Sequence, residues 1–299
     1  MLGLAIITDN DKKDKYMARM FLVGDYRDPS RCGDKIIEIN KAIQVGTNLK
    51  TKDQFGWTLL MHAVCYWLPK KTIKLLIAKG SDVNAKDNGG WTPLVYALVY
   101  SDRRKSVIEL LIDKGADVNV KDDDGETPLM LYISKNIAQL LIEKGAKLDL
   151  QDKKGHTALM HAIDKGNRAI VKLLIEKGAK LDLQDKKGHT ALMRAIDKGN
   201  RAIVKLLIEK GAKLDLQDKK GHTASMHAID KGNRDIVKLL LKTDLKQQEQ
   251  KLNKSEQKNA NLEKLVAELQ TQINVNKWKT KKEHQNMLRV ALLRRHIHK

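Results

Sequence analysis

The 299-residue chain has only two cysteines, four prolines and two phenylalanines, and aromatic residues make up 4% of it. Cys32 and Cys65 supply neither a disulfide framework nor a Cys-x-x-Cys motif, so both are expected to be buried, inert thiols. A core poor in aromatics and rich in Leu, Ile, Val, Ala and Met suits helices better than a β-sandwich. Long apolar runs are missing too. The longest stretch free of charge and proline, near Trp57 to Leu68, contains His62 and falls short of the roughly 20 apolar residues of a membrane-spanning helix. The opening MLGLAIITDN has no basic residues before its apolar run and no small-residue cleavage pattern after it, so no secretory signal is expected and the default location is the cytoplasm. Gly-x-Ser-x-Gly, a phosphate-cradling loop ending in Gly-Lys-Ser/Thr, and His-Glu-x-x-His are all absent, and the expectation is a non-enzymatic protein with no cofactor.

What the chain has is positive charge and repetition. The net charge is +20, distributed as +3 over residues 1–150, +9 over 151–245 and +8 over 246–299, so an electrostatic partner is expected on the second half. Residues 151–183, QDKKGHTALMHAIDKGNRAIVKLLIEKGAKLDL, recur at 184–216 with one change in 33 positions, His161 to Arg194. A third copy starts at Gln217, with Ser225 and Asp235 in place of the earlier Leu159 and Ala169. Degenerate copies begin at 51, 86 and 121, which makes six repeats over 51–245. Within a copy, Thr157 is placed to cap a short helix, Gly166 to end it in a left-handed turn, and Ile170, Leu173 and Leu174 to line a second helix closed by Gly178. One such pair cannot bury its apolar faces alone, so neighbours must stack.

The Asp-x-x-Gly-x-Thr-(Pro/Ala)-Leu start, the Gly between two helical stretches and the Gly-Ala-Asp-Val-Asn finish resemble the ankyrin repeat. That resemblance implies an all-α solenoid: a stack of helix-turn-helix units with hairpin loops, followed by a long C-terminal helix. It also implies recognition of a protein partner through the hairpin tips and the concave helix surface. Residues 1–50 read as N-terminal capping helices. Three departures stand out. Met160 and Met193 replace the His that usually ties neighbouring repeats by hydrogen bonds, so packing is expected to substitute. The copy at 121–150 is three residues short, with the loss near Ile133 to Asn136, where its helices should turn and the stack can bend. Ser225 stands where sister copies have a buried Leu, as suits a terminal repeat with a wetter face.

The tip residues are expected to change from aromatic (Phe55, Trp57, Trp91) through an acidic finger (Asp123, Asp124, Glu126) to a basic ladder. The ladder comprises Lys153, Lys154, His156, Lys186, Lys187, His189, Lys219, Lys220 and His222, with His161 and Arg194 beside it. Trp57 and Trp91 are read as exposed interface anchors, with a brace along their own hairpins as the alternative. The lysine pairs match a protein with an acidic segment; nucleic acid is disfavoured because the ladder has no aromatic stacking platform. His156, His189 and His222 recur once per repeat, about 10 Å apart if the helices pack normally, too far to share a metal ion, so no metal site is expected.

From Lys246 the composition turns to Lys, Gln, Glu and Asn. Leu252, Asn259, Leu262, Val266, Leu269 and Ile273 give a short heptad pattern, so residues 251–276 are a candidate coiled coil and homodimer contact. Residues 287–297 form a basic amphipathic stretch, the one segment suited to an anionic membrane. An electrostatic binder of nucleic acid or membrane, and an oligomerising regulatory subunit, are the alternative readings. Lysine- and isoleucine-rich, nearly identical copies also resemble arrays of host-associated intracellular bacteria, which implies delivery into a host cell as a further expectation.

Overall fold

The computed structural model describes residues 48–246, apart from 100 and 132, together with scattered positions between 249 and 285. Most of the expected N-terminal cap, Cys32, the heptad positions Asn259, Leu262, Val266, Leu269 and Ile273, and the 287–297 segment lie outside the described residues. The chain divides into two units at Leu240. In the second unit every described residue is helical, and Leu252 is 60% exposed. Among the described residues no helix is long and apolar enough to cross a membrane.

The first unit is a succession of helix pairs, with one isolated bridge, Gln217 to Thr223, as the only β-pairing among the described residues. The fourth repeat shows how the sequence builds a pair. Thr157 is extended, and its hydroxyl accepts from the Met160 N–H at 3.3 Å, starting the Ala158–Asp164 helix. Gly166 at φ 65° ends that helix in the left-handed region, and the Asn167 side chain accepts from the Ile170 N–H to start Arg168–Glu176. Thr58, Thr190 and Thr223 cap their helices in the same way.

The first helices of inner repeats are buried over most of their surface because they are covered on several sides. Ala191–Asp197 packs against both Ala158–Asp164 and Ala224–Asp230 as well as its own partner, Arg201–Glu209, and Leu192, Ala195 and Ile196 are fully buried. The second helices bury only a stripe, as with Ile203, Val204 and Leu207. At about 1.5–3 kcal/mol for each fully buried large aliphatic side chain, this shared core holds the stack. In the sixth repeat Met226 is 48% and Ile229 62% exposed, where Met193 and Ile196 are buried, and Ser225 is half-buried: the wetter face of a terminal repeat. Cys65 is buried in the Leu59–Cys65 helix, and burial pushes its thiol far up, as expected of an inert cysteine.

The short third repeat departs from expectation. Its lost residues fall on the first helix rather than on the turn alone: only a 3₁₀ turn, Pro128–Met130, remains before Lys135–Glu143. The Lys165 ammonium of the fourth repeat donates to the Met130 carbonyl at 2.9 Å, satisfying an acceptor that a longer helix would use internally.

Candidate functional site: the row of hairpin tips

Each hairpin is held by one aspartate. Asp152 Oδ1 accepts from the backbone N–H groups of Lys154 and His156, both at 2.8 Å, and Asp53, Asp87, Asp122, Asp185 and Asp218 do the same two and four residues on. The tips are then joined to one another by backbone hydrogen bonds: Asp123 N–H to Gly89 O, Lys153 N–H to Asp124 O, Lys186 N–H to Lys154 O and Lys219 N–H to Lys187 O, at 2.8–3.1 Å. Glycine makes that approach feasible. A Cβ on Gly155, at φ 82°, would stand 2.8 Å from the Lys186 nitrogen. Side chains reinforce the row, because Lys121 Nζ donates to Gln151 O, and Gln151 and Gln184 Nε2 donate to Gln184 O and Gln217 O.

The second oxygen of the same aspartates faces the residue nine positions on, in the first helix. Asp53 pairs with His62 at 3.0 Å, Asp87 accepts from the Tyr96 hydroxyl, Asp152 pairs with His161 at 3.0 Å, Asp185 with Arg194 at 2.9 Å and Asp218 with His227 at 3.2 Å. Between repeats, His156 Nε2 lies 3.6 Å from Asp185 Oδ2 and His189 Nε2 3.5 Å from Asp218 Oδ2. Arg194 also pairs with Asp164 of the preceding repeat, and His227 Nδ1 lies 3.1 Å from Asp197 Oδ1. The expectation that apolar packing alone replaces the missing His is therefore corrected: adjacent repeats are tied by acid–imidazole and acid–guanidinium contacts as well as by backbone bonds.

These contacts set the acidity of the carboxyls. Burial works to raise Asp218, but the His222 and Lys220 N–H groups and the His227 side chain outweigh it and hold the group at about 2. Asp152 is likewise lowered, with burial opposed by hydrogen bonds from His156 and His161. In the third repeat Leu131 occupies the ninth position and offers no donor; burial, helped by the charge of Glu126, raises Asp122.

Several expected site residues are not on the surface. Trp57 and Trp91 are 4% and 2% exposed, so the reading of both as exposed anchors is corrected: their rings lie 4.7 and 5.2 Å from Tyr96, Trp91 within its own repeat and Trp57 across to the next, beyond its own hairpin. Glu126 and His161 are also buried, the latter by its contact with Asp152. His156, His189, Arg194 and His222 are half-buried, and Asp123 and Asp124 are exposed. Among the described residues the exposed aromatics of the first repeat are Phe55 on the tip and Trp67 past the end of the Leu59–Cys65 helix, the latter with the Arg104 guanidinium 5.4 Å from its ring centroid. Lys153, Lys154, Lys186, Lys187, Lys219 and Lys220 are all exposed. Sequence reasoning missed Trp67 and the aspartates beneath the tips; the regular spacing of nine residues was the signal that would have found the acids.

Three copies of the ankyrin-repeats family model match the chain, over residues 32–122, 103–185 and 178–251. Among solved structures it is similar to the ankyrin repeat domain of Bcl-3, a member of the IκB protein family, with 28% identity and a TM-score of 0.59 over 68% of this chain and 90% of that one. The comparison with curated proteins found no match.

Proposed function

Since the chain belongs to the ankyrin-repeat family, whose repeats generally mediate protein–protein interaction and are typically non-enzymatic, we propose that it is a scaffold that binds a protein carrying an acidic segment along the tips of its fourth to sixth repeats. The observation that carries this reading is the row of three exposed lysine pairs on tips locked to one another through backbone hydrogen bonds. Ligand-binding charge is most effective when its spacing is fixed beforehand, because little ordering entropy is then lost on association. Exposed Asp123 and Asp124 on the neighbouring tip set an acidic boundary that would orient such a segment. Phe55 offers apolar contact on the first tip, at the opposite end of the row.

The test compares capture from nuclease-treated lysate by the full chain and by a variant with all six tip lysines changed to Glu, at about 0.1 M and about 0.4 M salt. A discrete protein held by the wild type at both salts and lost by the variant supports the reading. Capture that is heterogeneous, confined to low salt or sensitive to nuclease overturns it in favour of a non-specific electrostatic surface.

A further inference from the structure

Among the described residues, two groups of histidine and aspartate bring ligand atoms within 4.8 Å of one another: Asp152, His156 and His161, and His189, Asp218 and His227. We propose that the second group is a zinc site that clamps the fifth repeat to the sixth. Asp218 Oδ2 lies 3.5 Å from His189 Nε2 and 3.2 Å from His227 Nε2. Nitrogen and oxygen ligands bound at about 2.0–2.1 Å around a tetrahedral zinc stand about 3.3 Å apart, so Asp218 Oδ2 already stands at that separation from each imidazole nitrogen, and the three ligand atoms lie within 4.8 Å of one another. Two imidazoles and one carboxylate are a donor set suited to Zn²⁺, with the remaining coordination left to water.

The surroundings have the second layer that metal-bound imidazoles use. His227 Nδ1 faces Asp197 Oδ1 at 3.1 Å and His189 Nδ1 faces Asp185 Oδ2 at 3.8 Å, so each ring presents Nε2 to Asp218 while its other nitrogen meets a carboxylate. The Asp218 side chain is 2% exposed and His189 22%, which gives a mostly dry site with an entry on the His189 side. The site does not rely on the once-per-repeat histidines His156, His189 and His222 sharing an ion: it joins His189 to Asp218 and His227, from the hairpin and first helix of the next repeat.

The first group shows what excludes a metal. Arg194 Nη1 lies 3.1 Å from His156 Nε2 and 2.9 Å from Asp185 Oδ2. A guanidinium has only donors, so His156 Nε2 accepts and its proton sits on Nδ1, the atom that faces Asp152 at 3.4 Å. Binding a metal through Nδ1 would require moving that proton and placing a divalent ion beside a fixed positive charge. One zinc equivalent is therefore expected, not two.

The experiment titrates the chelator-stripped full chain with ZnCl₂ by calorimetry, and with Co²⁺ followed by its visible absorption. The wild type should bind one equivalent. His189→Gln and His227→Gln should each abolish stoichiometric binding, His156→Gln should leave it intact, and Asp197→Asn should weaken it by about tenfold or more. Circular dichroism checks that each variant is folded, and because both His→Gln changes keep a polar side chain in contact range of Asp218, at half-buried His189 and buried His227, folded protein is expected. Absence of stoichiometric binding, two equivalents, or binding that survives in the His189→Gln, His227→Gln double variant overturns the site.

Discussion

The third and fourth repeats are neighbours built to one plan, and they treat the same aspartate in opposite ways. In the fourth, Asp152 holds its hairpin with one oxygen and His161 with the other, and its carboxyl is lowered. In the third, the first helix has shrunk to Pro128–Met130, the ninth residue is Leu131, and Asp122 is raised by burial. The hairpin survives in both, because its backbone bonds and the two N–H groups held by Oδ1 do not involve the residue nine positions on. The difference shows that the tip and the helix beneath it are separable: the tip needs an acid, whereas the acid's comfort depends on what the helix puts under it.

The largest expected effect tests that separation directly. Asp152→Ala removes the turn and also a hydrogen-bond partner of the buried His161 ring, and should cost about 2–4 kcal/mol in urea unfolding. Asp122→Ala removes the turn alone and should cost about 1–2 kcal/mol. Equal losses would break the comparison. A smaller effect is expected at the junction of the two repeats. Lys165→Met removes the bond to the Met130 carbonyl and should cost about 1 kcal/mol, whereas the same change at Lys198, exposed in the fifth repeat, should be nearly neutral.

The smallest expected effect is one of sign, read by acid titration of unfolding. Asp152 and Asp218 have folded values below the ordinary carboxylate range, so their stabilisation is fully present above that range and is lost as pH falls, for Asp218 down through about 2. Asp122 runs the other way: its raised carboxyl is a penalty at neutral pH that is relieved as pH falls through its folded value. Asp122→Asn should therefore hold or raise stability at neutral pH and steepen the net loss on acidification. A shallower loss in Asp122→Asn than in the wild type would count against the assignment.

The stack was legible in the sequence because its causes are local and repeated. Thr157 and Gly166 act within a few residues of themselves, and a period of 33 reports each of them several times. The site was only half legible. The lysines could be placed on the tips from the hairpin pattern, because they sit at the turn itself, whereas Glu126, one residue past the turn glycine, is buried. Trp57 and Trp91 follow the same turns, yet pack inward on Tyr96, a residue of the second repeat that no reading of a single hairpin would pair with Trp57. The acid pairs escaped for a related reason: they link a loop to a helix nine residues away and then to the next repeat, so helical periodicity does not expose them, and only the recurrence of that spacing from copy to copy does. The missing residues of the third repeat were visible, but whether a chain shortens a turn or a helix depends on which loss the neighbours can fill, and here Lys165 fills it.

The backbone bonds between tips also bear on how such an array changes length. The bond from Lys186 to Lys154 across one junction reappears as that from Lys219 to Lys187 across the next, with the same glycine below it and the same glutamine bracing it. A junction that copies itself can be inserted or deleted as a block without inventing a new interface. Unequal recombination between the nearly identical copies would then yield folded proteins whose lysine row is simply longer or shorter, a ruler adjustable in steps of one repeat.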